Sequence, residues 1–341
     1  MTSRGSDAAR LPGERALIDH IRRRLSPPPS SLIVGVGDDA AVMVPERGAF
    51  QVLTTDAIVE GVHFDRRFSS LSDIGFKAVA VNLSDIAAMG AAPAFALLSL
   101  ILPDHTTLGE VDSLLDGVLE AAGAARVALV GGNISRSPGP LVIDVTATGS
   151  VRPRRILTRA GGRPGDALYV TGTIGAAAAG LGWLRSHGPA GPAAHDQRLA
   201  GCIRRHQRPE PRVRLGMLLG RNRAASACMD LSDGLADAVR QIAEASRTGA
   251  LIDAAALPID PAAADWFQKQ GLDPVTAAVS EGDDYELLFA VPRKYRGRLR
   301  TVQAGARGLS LTRIGELTGD PAVLLTRDGQ STPMPAGFRH F

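Results

Sequence analysis

The chain has 341 residues, of which 45% are hydrophobic, and its formal net charge is +3. This length and apolar content predict two packed domains and exclude an intrinsically disordered chain. Aromatic residues make up only 4% of the chain, which argues against stacking on single-stranded nucleic acid. Two cysteines, Cys202 and Cys228, argue against a disulfide framework or a zinc site. No apolar run is long enough to span a membrane, so we expect a cytoplasmic protein without membrane or nucleic-acid partners.

The first feature in chain order is an acidic loop between glycines. A helix predicted over residues 14–25 precedes a short strand at 32–34, which leads into Gly-Val-Gly-Asp-Asp-Ala at 35–40. Adjacent carboxylates repel each other unless a cation lies between them, and Mg²⁺ takes oxygen ligands and bridges to phosphate. The same residues suit an Asx turn with two solvated acids, and for this loop alone the simpler interpretation is favoured.

A second acidic cluster closes the next predicted strand, at 51–55. Thr54, Thr55 and Asp56 could present two hydroxyls and a carboxylate to a metal at the end of that strand. His63 follows shortly afterwards. A single histidine is more often structural than functional, but beside an acidic site a protonated ring could recognise an anionic substrate.

The next candidates lie on a helix and after a strand. A helix capped by Ser72 or Asp73 would carry Lys77 and Asp85 on one side, either as ordinary surface charges or as a charge-balancing lysine and a metal ligand. A strand at 127–130 is predicted to end in a Gly-Gly-Asn loop at 131–133, where the backbone could approach phosphate or ribose closely.

A domain boundary is predicted near residue 151, which gives an N-terminal domain over 1–150 and a C-terminal α/β domain over 151–341. In the second domain a strand runs into Asp230, followed by Ser232 and Asp233. Capping of the following helix explains Ser232 and Asp233 but not Asp230, which stands where a strand residue should be apolar. A further acidic segment occupies 281–286.

These acids stand at predicted strand ends and helix starts, where α/β folds build their sites. If Asp39, Asp56, Asp85 and Asp230 converge, their mutual repulsion suits a site that fills with Mg²⁺ and a polyphosphate. Such a site would carry out phosphoryl transfer between bound phosphates without a protein nucleophile.

Several motifs together resemble those of the thiamine-monophosphate kinase family. They are residues 36–40, Thr55-Asp56 with 60–64, the run Asn-Leu-Ser-Asp-Ile-Ala-Ala-Met-Gly at 82–90 and Asp-Leu-Ser-Asp-Gly-Leu at 230–235, with supporting matches at 13–14, 157–159, 284–287 and 337–341. The resemblance covers essentially the whole chain in the same order.

This resemblance implies an α/β (α+β) protein with the two-domain aminoimidazole-ribonucleotide-synthetase-like fold. It implies a homodimer in which the N-terminal sheets, from the ATP- and metal-binding domain, complete a barrel across the two subunits. It also implies ATP-dependent phosphorylation of thiamine monophosphate to thiamine diphosphate by direct in-line transfer, with Mg²⁺ as cofactor and ATP as co-substrate.

The resemblance also implies roles by position. The residues matching metal ligands are Asp39, Thr54, Thr55, Asp56, Asp85, Asn133, Asp230 and Asp233. Those matching ATP contacts are Gly132, Asn133, Arg159 and Ser232, and those matching contacts to thiamine monophosphate are His63, Asp283 and Phe338. No side chain is implied as a covalent catalyst. The family usually has Asp where this chain has Asn133, and Glu where it has Asp283.

Three alternative functions share features with this sequence. Selenophosphate synthetase would need a reactive cysteine near the N-terminus, and no cysteine precedes Cys202. The related hydrogenase-maturation enzyme would end in a cysteine, whereas this sequence ends in Phe341. A non-catalytic nucleotide- or metal-binding regulator on the same fold is the third alternative, and Asn133 is its only hint.

Overall fold

The computed structural model describes residues 11–188 and 197–337. The chain divides into two compact units. The first unit comprises the described residues up to Arg47 together with Leu53–Asn82 and Pro93–Thr148, and the second comprises Gly48–Val52, Leu83–Ala92 and the described residues from Gly149 onward.

The elements of the first part of the chain alternate between helices and strands. They are α1 (Glu14–Arg24), β1 (Leu32–Val34), β2 (Val42–Met43), β3 (Phe50–Val59), α2 (Leu71–Ala88), β4 (Ala92–Pro103), α3 (Leu108–Ala125), β5 (Ala128–Ser137) and β6 (Val142–Val151). β1 and β2 pair antiparallel, and four strands form a sheet in the order β3–β6–β4–β5. The alternating burial of β6 shows that one face of this sheet is covered and the other is open.

Helices α2 and α3 pack closely because glycines let their backbones touch. A Cβ at Gly75 would lie 2.0 Å from the carbonyl oxygen of Leu114, and one at Gly117 would lie 1.8 Å from that of Ser72. The start of α3 follows the sequence directly, since Thr107 and Glu110 form a reciprocal capping box.

Three local predictions for this part of the chain were wrong. β3 continues to Val59, so Asp56 lies inside the strand rather than at its end. The Gly-Gly-Asn segment is not a loop but part of β5, because it pairs in parallel with β4 across a register shift at Ala96 and Leu97. Helix α2 begins at Leu71, so Ser72 and Asp73 lie inside it and do not cap it. Ser70 precedes the helix, and its Oγ accepts a hydrogen bond from the Asp73 N–H at 3.1 Å.

The remaining elements build a larger mixed α/β unit. They are β7 (Ala167–Thr171), α4 (Ala176–His187), α5 (Gln197–Gln207), α6 (Val213–Asn222), β8 (Ala227–Asp230), α7 (Leu235–Ser246), β9 (Gly249–Asp253), α8 (Pro261–Lys269), α9 (Pro274–Ser280), β10 (Leu287–Val291), α10 (Arg296–Gly305), β11 (Leu311–Thr318), β12 (Val323–Arg327) and β13 (Gln330–Pro333), with short 3₁₀ turns at Pro153–Arg155, Ala254–Ala256 and Arg293–Tyr295.

Seven strands of this unit form one sheet in the order β13–β12–β9–β11–β7–β10–β8. β12 and β9 run parallel, whereas β10 with β7 and β8, β11 with β7 and β9, and β12 with β13 are antiparallel. The central strands β7 and β10 are almost fully buried, because helices such as α7 pack their apolar side against the sheet. β8 is the terminal strand of this order, so its last residue, Asp230, lies at an edge of the sheet.

Helix α7 begins differently from the prediction. Its N-cap is Gly234, at φ +88°, and no side chain caps it, so neither Ser232 nor Asp233 has the capping role. A Cβ at residue 234 would lie 2.4 Å from the carbonyl oxygen of Glu281, which explains why glycine stands there. Within the described ranges, no helix combines the length and apolar character that a membrane crossing requires.

Candidate functional site

The first unit contains a cavity of about 1170 Å³ on the open side of its sheet. Its lining includes the acidic loop with Asp38 and Asp39, the glycine segment of β5 with Gly132 and Asn133, and polar side chains of β6. Asp38 Oδ1 accepts a hydrogen bond from the Asp39 N–H at 2.8 Å, which is one residue on rather than the two residues on of an Asx turn. The cavity therefore brings Asp39 into the same space as Gly132 and Asn133.

Gly132 is required by the close approach of two strands. A Cβ at this position would lie 1.8 Å from the carbonyl oxygen of Leu98, its neighbour in β4. Asn133 is exposed next to it, and its amide donates to Ser135 Oγ at 3.0 Å. The glycine thus keeps the backbone of β5 at the cavity free of side-chain bulk, which suits close contact with a ligand.

Strand alternation separates the three polar residues of β3. Thr55 Oγ1 donates to Asp144 Oδ1 at 2.9 Å and lies 3.1 Å from Thr146 Oγ1, and both of these residues line the cavity. Thr54 and Asp56 point to the opposite face of the strand. The side chains of Thr55 and Asp56 therefore do not meet, although the sequence placed them in one cluster.

Asp144 and Thr146 were missed in the sequence. The signal was present, because residues 142–148 read Val-Ile-Asp-Val-Thr-Ala-Thr, with polar residues at every second position. This period of two marks the open face of a half-buried strand. It would have added a carboxylate and two hydroxyls to the oxygen-rich lining.

His63 lies in the turn after β3, and its ring is fixed by the backbone. The Val59 N–H donates to His63 Nδ1 at 3.1 Å, and Lys77 Nζ donates to the His63 carbonyl at 3.2 Å. A ring that accepts at Nδ1 carries its proton on Nε2 and offers an N–H donor there. Recognition of an anionic substrate by a protonated His63 stays a prediction.

In the second unit, Asp85 and Asp230 form a pair of acids. Asp230 is only 3% exposed, and its Oδ2 accepts from Ser84 Oγ at 2.6 Å. Burial and, to a smaller extent, the negative charge of Asp85 raise the pKa of Asp230 to about 7, although the hydrogen bond from Ser84 and the charge of Arg159 oppose the shift. A carboxylate that is this poorly compensated is one that a bound cation would stabilise.

Arg159 reaches this neighbourhood because its segment runs beside the edge strand. The Cys228 N–H donates to the Thr158 carbonyl at 2.8 Å, which holds the segment against β8, and the Arg159 guanidinium donates to Gln241 on α7. Ser232 and Asp233 follow Asp230 directly in the loop before α7. Arg159 thus supplies a positive charge near Asp230.

The segment 281–286 pairs with the loop after Asp230. Asp283 donates its N–H to the Ser232 carbonyl at 2.7 Å, and Tyr285 donates its N–H to that of Leu231 at 3.0 Å. Two of the four acids of this stretch, Asp284 and Glu286, are fully buried. Glu281 is exposed, and the Asp283 side chain is 33% exposed, so these two can contact a ligand.

Buried Asp284 makes stability depend on pH. Its pKa is raised from 3.8 to about 7, mainly by burial and also by the negative charge of Glu286. The hydrogen bond from the Gly175 N–H and the charge of Arg205 oppose this shift. The folded state keeps a proton that the unfolded chain loses above its pKa of 3.8. This carboxyl therefore lowers the stability of the folded chain as pH rises from 3.8 to about 7.

Replacing Asp284 with Asn should remove that pH-dependent component. The amide oxygen can still accept from the Gly175 N–H, which now reaches Oδ2 at 2.8 Å. We expect the melting temperature of Asp284→Asn, relative to the parent chain, to be higher at about pH 8 than at about pH 5. If the difference in melting temperature between the variant and the parent chain were the same at both pH values, the raised pKa of Asp284 would be contradicted.

The predicted site residues fall into two groups, one in each unit. The first unit holds Asp39, Thr54, Thr55, Asp56, His63, Gly132 and Asn133, and the second holds Asp85, Arg159, Asp230, Ser232, Asp233 and Asp283. Phe338 lies outside the described residues. Over residues 11–188 and 197–337, no group of three or more His, Cys, Asp or Glu side chains is arranged to hold a metal ion.

Residues 37–151 match the family of AIR synthase related proteins, N-terminal domain, and residues 163–326 match the corresponding C-terminal domain. The chain is 39% identical over 332 residues to the thiamine-monophosphate kinase of Escherichia coli K12, covering 96% of this chain and 98% of that protein.

Two solved structures are similar over nearly the whole chain. The thiamine-monophosphate kinase of Stenotrophomonas maltophilia K279a aligns with a TM-score of 0.81 at 37% identity, covering 94% of this chain and 98% of that one. AaThiL complexed with AMPPCP and TMP aligns with a TM-score of 0.75 at 32% identity over 100% of both chains. The chain built from these two AIR-synthase-related domains therefore belongs to the thiamine-monophosphate kinase family.

Proposed function

We propose that this protein transfers the γ-phosphoryl group of ATP to thiamine monophosphate, giving thiamine diphosphate and ADP in thiamine diphosphate biosynthesis. The single observation that carries the proposal is the Asp85–Asp230 pair, whose repulsion and burial leave a carboxylate in need of a cation. The family supports the same reaction, because AaThiL is solved with AMPPCP and TMP.

Mg²⁺ fits the chemistry of these oxygen donors. Asp85 and Asp230, with Asp233, would hold it in the second unit, and Asp39, Thr54, Thr55, Asp56 and Asn133 are the proposed donors of the first. Bound there, the ion would neutralise charge that develops on the transferred phosphoryl group. Asn133 brings an oxygen but no charge, so we expect the affinity of its metal position to be lower than an aspartate would give.

The chain's own groups would position the two phosphorylated molecules. Gly132 offers backbone at a cavity free of side-chain bulk, and Arg159 offers a planar guanidinium suited to phosphate oxygens. With Ser232, they are the proposed contacts to ATP. No protein nucleophile is needed, because the phosphate of thiamine monophosphate itself attacks the γ-phosphorus in line.

The substrate side would be formed by His63, Asp283 and Phe338. His63 Nε2–H can donate to a phosphate oxygen, since Nδ1 is already engaged with the Val59 N–H. Asp283 can pair with the cationic or N–H-bearing end of thiamine. These roles follow the matching positions in the family, and Phe338 is proposed on its sequence match alone.

A product assay tests the proposal directly. Purified protein with ATP, Mg²⁺ and thiamine monophosphate should form thiamine diphosphate and ADP in equal amounts, measured by chromatography. Thiamine serves as the control substrate and should not yield the diphosphate, because it lacks the attacking phosphate. Binding of ATP without turnover would favour the non-catalytic regulator, an alternative that the kinase relatives do not favour.

We also propose a cytoplasmic homodimer in which residues 1–150 form the ATP-binding and dimerisation domain and residues 151–341 the C-terminal domain. Support comes from exposed apolar side chains in the first unit, among them Leu53 at 71%, Ile33 at 62% and Val44 at 54%. Leu53 lies on β3, an edge strand of its sheet. An edge strand with exposed apolar residues suits pairing with a second copy, which would complete a barrel.

Substitution of Leu53 by Glu should convert the dimer into a monomer, because a carboxylate at the centre of such an interface would be buried without a partner. Size-exclusion chromatography with light scattering measures the mass. Leu272→Glu is the matched control, since Leu272 is 52% exposed in the second unit and should leave the dimer intact. A dimeric Leu53→Glu variant would contradict this interface.

A further inference from the structure

Asp283 belongs to a segment whose backbone is held in an unusual conformation. Asp283 has φ +69° and Tyr285 has φ +49°, in the left-handed region that non-glycine residues rarely adopt. Each such residue costs about 1 kcal/mol or more. The hydrogen bonds that the Asp283 and Tyr285 N–H groups donate to the carbonyls of Ser232 and Leu231 offset this conformational cost.

The two neighbouring acids anchor this segment from within. Asp284 Oδ2 accepts from the Gly175 N–H at 2.8 Å, and Glu286 accepts from Arg205 at 2.5 Å and from Arg212 Nε at 2.6 Å. Glu286 is fully buried, and these two arginines compensate its charge. Asp283 is not used in this anchoring and presents its carboxylate outward.

Both oxygens of the Asp283 carboxylate have a described neighbour. The Tyr285 hydroxyl donates to Oδ1 at 3.2 Å, and His206 Nδ1 lies 3.4 Å from Oδ2. The His206 side chain is only 4% exposed, so its ring has little freedom to turn. His206 follows Arg205 on α5. Arg205 contacts the buried Glu286, and His206 contacts Asp283 in the same segment.

We propose that His206 is a positioning residue that fixes the Asp283 carboxylate for recognition of the thiamine moiety. This inference rests on the proposed function. Thiamine offers a positively charged thiazolium ring and an aminopyrimidine N–H, both of which suit a carboxylate. Because aspartate is one methylene shorter than the glutamate usual in the family, a fixed orientation of the carboxylate matters more for reaching that group.

The test separates substrate affinity from catalysis. His206→Leu removes the polar group beside Asp283, and we expect the KM for thiamine monophosphate to rise about tenfold. The KM for ATP and kcat should change by no more than about twofold, because Asp283 does not contact the nucleotide in this account. Steady-state kinetics with each substrate varied in turn provide both values.

Two further variants make the result specific. His206→Asn places an amide nitrogen near the position of Nδ1 and should restore a KM close to that of the parent chain. His206→Gln places its amide near Nε2 instead, so its KM should rise like that of the leucine variant. The glutamine variant also serves if His206→Leu does not fold, since it keeps a polar group at this buried position.

The matched control is a second histidine–aspartate pair. His20 Nε2 lies 2.6 Å from Asp112 Oδ1 in the first unit, and His20→Leu should leave the KM for thiamine monophosphate unchanged. An unchanged KM in both His206→Leu and His206→Gln, or an equal rise in the KM for ATP, would overturn the positioning role while leaving the proposed function intact. A parent chain without kinase activity would overturn both.

Discussion

Asp230→Asn should fold normally and lose turnover on the order of 10³-fold. The amide oxygen can still accept the bond that Ser84 Oγ now donates at 2.6 Å, and a buried charge is removed. What is lost is the negative charge that would hold Mg²⁺ beside the phosphates. The rate of thiamine diphosphate formation at saturating ATP and Mg²⁺ is the quantity to measure.

The control for this variant is Asp265→Asn, the same chemical change at an exposed residue of α8. Its rate should equal that of the parent chain. Melting curves of both variants show whether either has lost its fold. If Asp230→Asn retained a rate within a few-fold of the parent, Asp230 would not belong to the metal site.

Gly132→Ala should destabilise the first unit by about 2–4 kcal/mol and weaken ATP binding with it. The added Cβ would lie 1.8 Å from the Leu98 carbonyl oxygen and 2.7 Å from its carbonyl carbon. Both atoms are backbone, so no flexible side chain can yield, and the pairing of β5 with β4 must open. Chemical denaturation measures the loss, and nucleotide titration measures the weakened binding.

Gly123→Ala provides the opposite expectation within the same unit. Gly123 lies in α3, and nothing lies within 4 Å of the added Cβ. Alanine is the better helix former, so stability should rise by up to about 1 kcal/mol. If Gly132→Ala left the free energy of unfolding unchanged, or if both variants lowered it, the close approach of β5 to β4 would not be the reason for glycine at position 132.

Local sequence signals predicted the elements whose causes are local. The helix predicted over residues 14–25 is observed as α1, Glu14–Arg24, and the strand predicted at 32–34 is observed as β1. Asp230 was placed correctly at the end of a strand because a carboxylate is out of place among apolar neighbours. In each case the information lay within one element.

Errors arose where a distant strand decides the local structure. Gly131 and Gly132 look like the end of a strand, yet pairing with β4 carries the strand through them. Asp56 likewise looks like the last residue of a strand, because a charged side chain follows a run of uncharged ones. In the structure β3 extends beyond it to Val59. His206 carried no local signal at all, because its significance lies in its distance to Asp283.

The remaining site assignments stay predictions based on family position. The structure contributes which of them share a unit, and it adds Asp144 and Thr146 to the lining of the cavity. It also shows that the Val59 N–H donates to His63 Nδ1, which fixes the orientation of the ring. These details depend on strand alternation and backbone contacts, which the order of motifs alone does not contain.

The most direct test of the central claim is anomalous diffraction from crystals grown with Mn²⁺ in place of Mg²⁺ and a non-hydrolysable ATP analogue. We predict an anomalous peak within coordination distance, roughly 2.0–2.3 Å, of carboxylate oxygens of both Asp85 and Asp230. Peaks only at other positions, with both carboxylates left without metal, would contradict the account.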